Sequence, residues 1–201
     1  LGVEMPFEQV PMVQKHIIRR TNYAGKPVIV ATQMLESMIS SPVPTRAEVS
    51  DVATAIYDWT DMVMLSGETA AGKYPLESVE TMARVAANID RDQSSRKKKL
   101  ATRRSQFIAE KSVRSSLCDS ADELADEIDA KAIITFTDSG KTAVMLSKHR
   151  SSVPIIAITD NEPTLHQMAM LCGVWPVLAS IKFRAMRGLK EIGRASCRER
   201  V

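Results

Sequence analysis

The sequence has few of the residues that cross-linked, metal-binding or membrane-spanning proteins require. Only three of its 201 residues are cysteines, and 4% are aromatic. Cys118, Cys172 and Cys197 are scattered, which argues against a disulfide framework and fits a reducing compartment. No run approaches the roughly 20 apolar residues of a membrane span. Neither the cysteines nor the three histidines cluster, so they predict no metal site.

The remaining composition, 44% hydrophobic and 25% charged, is typical of one globular domain or two small ones. The chain begins at Leu1 with no signal-peptide pattern. We therefore expect the start of a longer protein, and with it any targeting signal, to be missing. Glu4 and Glu8 form a Glu-x-Pro-x-Glu pattern, which by itself suggests a metal site.

Positive charge is concentrated in one segment. Residues 91–115 hold nine Lys or Arg and two acidic residues, a local net charge of +7, whereas the whole chain carries +3. The run over residues 96–104 can contact nucleic-acid phosphates. No aromatic side chain lies within that run, so a solvated linker over residues 92–111 is the favoured interpretation.

The first ninety residues alternate predicted helices with short apolar strands. Helices are predicted over residues 7–24 and 45–58 and from Pro75 onward, and strands over 28–31 and 62–65. Thr45 and Glu48 form a capping-box pattern at one helix start. The strands begin 34 residues apart, one strand–helix repeat of a parallel barrel. Two repeats cannot close a barrel of eight strands, so we expect a truncated barrel.

A second alternating unit follows the basic segment. Strands are predicted over residues 132–136 and 155–158, with helices before, between and after them. Short connections between alternating strands and helices indicate a parallel sheet.

Two polar strings directly follow the first two strands. Ala31-Thr-Gln-Met-Leu-Glu-Ser-Met38 follows one, and Met64-Leu-Ser-Gly-Glu-Thr-Ala70 overlaps the end of the other. Catalytic groups of α/β enzymes lie at the carboxyl ends of parallel strands. With Pro44-Thr-Arg-Ala-Glu48 and Asp51-Val-Ala53, these strings resemble the pyruvate kinase family, and the likeness runs from residue 1 to about residue 183.

The resemblance implies an α/β fold: a partial (β/α)8 TIM barrel, with its last two strand–helix units, followed by a truncated three-layer α/β regulatory domain. The expected divisions are residues 1–91 for the barrel, 92–111 for the linker and 112–190 for the regulatory domain. Residues 191–201 read like a translated sequencing adapter, which we favour over a genuine basic tail.

The resemblance also implies an activity. Pyruvate kinases transfer a phosphoryl group from phosphoenolpyruvate to ADP, giving pyruvate and ATP, with Mg2+ or Mn2+ and K+. The metal ligands, the catalytic lysine and most nucleotide contacts are expected upstream of Leu1, so the chain alone is expected to be inactive. A cytoplasmic homotetramer is implied for the full-length enzyme, with an organellar isozyme left open and with no nucleic-acid or membrane partner.

Three residues carry the implied chemistry. Thr32 matches a substrate-contacting threonine, although a β-branched residue ending a strand is the structural alternative. Ser66 and Glu68 match residues linked to proton donation to the enolate carbon. Gly67 permits the sharp turn between them. Their structural alternative is a turn with a helix-capping carboxylate.

A second phosphate site is implied in the regulatory domain. The loop residues Thr137, Ser139, Gly140, Lys141 and Thr142 match those that hold a phosphate of a sugar-phosphate activator. Asp138 departs from the family members that have a basic residue at this position. Its carboxylate is expected to repel a phosphate. The alternative is a turn capped by Ser139 or Thr142.

Two other functions stay open at this stage. One is a stand-alone phosphometabolite-binding module formed by residues 112–180. The other, less favoured, is nucleic-acid binding through residues 96–104.

Overall fold

The computed structural model describes residues 3–97 and 112–179. Within these residues the chain forms seven α-helices and five strands, and a 3-10 helix over Phe7–Gln9 precedes the first α-helix. In chain order the elements are α1 (Val10–Tyr23), β1 (Ile29–Ala31), α2 (Arg46–Tyr57), β2 (Met62–Met64), α3 (Gly67–Ala70), α4 (Pro75–Lys97), α5 (Val113–Glu127), β3 (Ile133–Phe136), α6 (Lys141–Lys148), β4 (Ile155–Thr159), α7 (Glu162–Met168) and β5 (Val174–Leu178).

The first unit is a parallel pair of strands with helices packed around it. β1 and β2 pair in register from Ile29 opposite Met62 to Ala31 opposite Met64. One hydrophobic core lies here, centred on buried side chains that include Ile18, Leu35 and Val52. Ile29 and Met64 remain about half exposed, since two strands offer little cover to either face.

Local signals set the ends of these elements as predicted. The Thr45 side chain accepts from the Glu48 amide while the Glu48 carboxylate accepts from the Thr45 amide, a complete capping box that begins α2. α4 begins at Pro75. Gly25 follows α1 with φ of +66°, a backbone conformation that few other residues adopt readily.

The second unit is a three-stranded parallel sheet in the order β3-β4-β5. It has its own core, which includes Ala143, Ile155, Ala157 and Met168. The two α/β units confirm the predicted fold class. The sequence pattern did not predict β5, whose Trp175 side chain is 67% exposed.

Several sequence predictions concern residues outside the described ranges. They include most of the basic linker, residues 98–111, and the terminal segment 191–201. Within the described part, α4 continues to Lys97, past the expected boundary at residue 91. None of the described helices has the length and apolarity to cross a bilayer.

Candidate active site

The polar residues predicted to form the site lie at one edge of the first unit. Because β1 and β2 run parallel with Ala31 opposite Met64, their carboxyl ends lie side by side. Thr32 directly follows β1, and Ser66 comes two residues after β2. The structure thus brings Thr32, Ser66 and Glu68 to neighbouring loops at the same rim, the position of active sites in parallel α/β folds.

The backbone at the end of β1 adopts an unusual conformation. Thr32 has φ of +72° and Gln33 has φ of +54°, so two consecutive non-glycine residues lie in the left-handed region. Each such residue costs about 1–3 kcal/mol, and this cost persists only where surrounding structure enforces it. Both residues are exposed. Strain at an exposed rim is typical of a functional site.

Glu68 joins the two rim loops. Its side chain is fully buried. Its Oε1 accepts from the Leu35 amide at 3.0 Å and its Oε2 accepts from the Ser66 amide at 2.7 Å. Burial acts to raise the pKa of Glu68, but hydrogen bonds from its own amide and from these two amides outweigh it, so the pKa lies below its ordinary value. Glu68 is therefore an ionised carboxylate at neutral pH.

Ser66 and two glycines shape the loop after β2. Ser66 precedes α3, and its carbonyl accepts from the Ala70 amide at 3.0 Å. A Cβ at Gly67 would lie 3.0 Å from Cδ1 of Ile39, and one at Gly72 would lie 2.4 Å from the Glu68 carbonyl oxygen. These close approaches favour glycine at both positions and hold the loop tightly against its neighbours.

Glu48, like Glu68, connects two segments near the rim through hydrogen bonds. The sequence indicated only some of these bonds. Besides capping α2, its Oε1 accepts from the Ser37 amide and its Oε2 from the Ser37 hydroxyl, each at 2.6 Å. Burial acts to raise the pKa of Glu48, but the bonds from Ser37 and Thr45 outweigh it and lower the pKa. The capping pattern identified Glu48, but no sequence signal indicated its hydrogen bonds with Ser37 in the segment after β1.

The predicted effector residues lie at the start of α6. The turn is not capped by Ser139 or Thr142: the N-cap is Gly140, with φ of +73° and no side-chain capping bond. Thr137 uses its amide in the β-sheet, donating to the Ile158 carbonyl at 2.9 Å. Ser139 and Lys141 line an open cavity of about 690 Å³.

Cationic side chains from both units line this cavity. Lys26, after α1, and Arg114, in the first turn of α5, join Lys141 around it, together with the hydroxyl residue Ser112. Three cations and two serines in one depression suit an anionic ligand. The sequence indicated Lys141 and Ser139 but not Lys26 or Arg114, because it does not show that these segments meet.

The rim does not fit a metal ion by itself. Among residues 3–97 and 112–179, no group of three or more His, Cys, Asp or Glu is placed to bind one. The rim carboxylates of Glu48 and Glu68 already accept several backbone amides, which leaves them poorly suited as metal ligands.

Comparison with known proteins gives matches to one family over both units. The family model "Pyruvate kinase, barrel domain" matches residues 1–79, and "Pyruvate kinase, alpha/beta domain" matches residues 115–199. The pyruvate kinase of Bacillus licheniformis is 47% identical over 175 residues, covering 87% of this chain and 29% of that protein. That of Staphylococcus haemolyticus is 50% identical over 178 residues, covering 89% and 30%.

A solved structure gives the same result for the fold. A pyruvate kinase from Cryptosporidium parvum superimposes with a TM-score of 0.85 at 39% identity, covering 99% of this chain and 40% of that one. The fold is that of part of an α/β barrel with an appended α/β domain. The chain belongs to the pyruvate kinase family. It spans about 30% of the length of these curated bacterial relatives.

Proposed function

We propose that this chain forms part of an enzyme that transfers a phosphoryl group from phosphoenolpyruvate to ADP, giving pyruvate and ATP. The observation that carries the proposal is the strained, exposed Thr32 beside the braced Ser66–Glu68 loop at the strand ends. Phosphoryl transfer depends chiefly on positioning and electrostatic stabilisation, and a rigid rim serves that purpose.

The three site residues take different roles in this proposal. Thr32 offers an exposed hydroxyl to a carboxylate or phosphoryl oxygen of the substrate. Ser66 places its hydroxyl on the neighbouring loop, on the side where the enolate carbon receives a proton. Glu68 is ionised and buried between two amides, which favours positioning of both loops over direct proton donation.

The rest of the active site lies outside this chain in the proposal. Mg2+ or Mn2+, K+ and the nucleotide are held by residues of the longer enzyme, and this chain spans about 30% of the length of the curated relatives. In the same proposal, residues 1–91 belong to the barrel, 92–111 form the linker and 112–190 form the regulatory domain. Residues 191–201 are then a tail derived from a sequencing adapter. The full-length enzyme is proposed to be a cytoplasmic homotetramer.

Two steady-state assays test the catalytic proposal. The gene is read upstream of residue 1, and the longer protein and the 201-residue chain are each given phosphoenolpyruvate, ADP, Mg2+ and K+. We expect ATP formation by the longer protein and none by the chain. Thr32→Val in the longer protein should lower kcat at least tenfold, with Ser50→Ala, at an exposed site on α2, as its control. An inactive longer protein, or full activity of T32V, contradicts the proposal.

A phosphorylated effector is the second proposed ligand. The cavity that Lys26, Arg114 and Lys141 line supports binding of a sugar phosphate at residues 137–142. Calorimetry with fructose 1,6-bisphosphate on the 201-residue chain should give binding that Lys141→Met weakens and that Lys131→Met, at an exposed site away from the cavity, leaves unchanged. Binding without catalysis by the longer protein favours the stand-alone module instead.

A further inference from the structure

Buried charges join the two units. Lys148, the last residue of α6, places its Nζ 2.5 Å from Oδ2 of Asp61, just before β2, and both side chains are fully buried. Arg150 Nη2 lies 3.1 Å from Oδ1 of the same carboxylate. Asp61 is thus held by two cations from the second unit, although the two units have separate hydrophobic cores.

Asp61 also anchors the start of the neighbouring strand. The Val28 amide donates to Asp61 Oδ2 at 2.8 Å, immediately before β1. Lys148 Nζ donates to Asn22 Oδ1 at 3.1 Å, after which the chain turns toward β1. Arg150 Nη2 donates to the Trp59 carbonyl at 2.5 Å, immediately upstream of β2. The second unit therefore forms hydrogen bonds close to the N-terminal ends of both strands of the first unit.

β1 and β2 are so short that a displacement of their N-terminal ends also moves their C-terminal ends. β1 and β2 each contain three residues, and their far ends carry the rim loops. At about 3.3 Å per residue, Asp61 lies only about 16 Å along the chain from Ser66. Paired backbone over this distance transmits a shift of its origin to its end because close-packed interiors deform little.

We propose that Asp61 is a positioning residue for the rim: Lys148 and Arg150 of the second unit hold its carboxylate, which fixes the origins of β1 and β2 and hence the places of Thr32 and Ser66. The second unit then contributes to the site without touching it. The value of this positioning for catalysis rests on the proposed function, whereas the positioning itself does not.

Amide exchange measured by NMR on the 201-residue chain tests the proposal. Lys148→Met removes one cation and keeps much of the aliphatic bulk. We expect it to accelerate exchange of the Val28, Leu35 and Ser66 amides at least tenfold. Amides of β4, such as that of Ile155, should change less than twofold. Lys148→Arg, which keeps a cation, should restore rim protection to within threefold of the original protein.

Lys15→Met serves as the matched control, because Lys15 forms a partly exposed ion pair with Asp58 in the same unit. It should leave the rim amides unchanged. Unchanged rim exchange in Lys148→Met, or equal acceleration in both units, overturns the proposal, the latter because it reports only lost stability. If Lys148→Met does not fold, Arg150→Gln, which keeps the Lys148 pair, decides by the same pattern. Exchange requires no turnover, so this result stands apart from the kinase assays.

Discussion

At the scale of single residues, the rim loops are held together by ionised carboxylates that accept hydrogen bonds from backbone amides. Glu68 accepts from amides on two different loops, and Glu48 accepts from Ser37 and Thr45. The resemblance to pyruvate kinases indicated Glu68, through its match to a family residue after a barrel strand. It could not show that Leu35, 33 residues away, donates to the same carboxylate, because only the paired strands bring them together.

Glu68→Gln should destabilise the protein. The amide side chain keeps one acceptor oxygen but turns an NH2 group toward a backbone donor, so one buried amide loses its partner. An unsatisfied buried group of this kind costs about 1–3 kcal/mol. Urea unfolding at pH 7 measures the change. Glu36→Gln is the control, since Glu36 is exposed; equal midpoints for both variants would show that the Glu68 bonds contribute nothing.

The same carboxylates predict an acid-dependent loss of stability. Glu48 and Glu68 have pKa values below the ordinary 4.5 when folded. Between each folded pKa and 4.5 the unfolded chain binds more protons, so stability is complete above about pH 4.5 and falls as pH drops through the folded pKa. Urea midpoints between pH 6 and pH 3 should fall more steeply for the original protein than for the Glu48→Gln/Glu68→Gln double variant. Parallel profiles would refute this account.

At the scale of elements, local signals predicted most of the structure. The capping box began α2 and Pro75 began α4, where chemistry within one turn decides the outcome. β5 was missed because Pro176 interrupts its pattern. Proline is tolerated there since β5 lies at the edge of the sheet that residues 112–179 form, where a missing amide donor breaks no central ladder. The left-handed backbone at Thr32 likewise has no local sequence signal.

Thr45→Ala should weaken α2 and the loop that it supports. The substitution removes the hydroxyl that accepts from the Glu48 amide, and loss of such a cap costs about 1 kcal/mol. The Ser37 amide should also exchange faster, because Glu48 binds both Thr45 and Ser37. Ser50→Ala, at an exposed site on the same helix, should be neutral or slightly stabilising in urea unfolding. Equal effects of the two substitutions would contradict a capping role.

At the scale of the whole molecule, two separate cores are joined by a few buried charges. Lys148 and Asp61 lie 87 residues apart, so no local sequence pattern predicts their pairing. Burial acts to lower the pKa of Lys148, while the hydrogen bond and charge of Asp61 oppose that shift. Such a pair is specific rather than strongly stabilising, because its attraction must first offset the desolvation of both ions.

Asp61→Asn should therefore destabilise the protein more than Lys148→Met does. Removing Asp61 leaves two buried cations without an anion, whereas removing Lys148 leaves Asp61 beside Arg150. Breaking a buried pair from one side costs about 3–5 kcal/mol, and the double variant should cost less than the sum of the single variants. Urea unfolding followed by Trp fluorescence reports on both units, since Trp59 lies in the first and Trp175 in the second. Additive losses, or a larger loss for Lys148→Met, would mean that the cluster does not act as one unit.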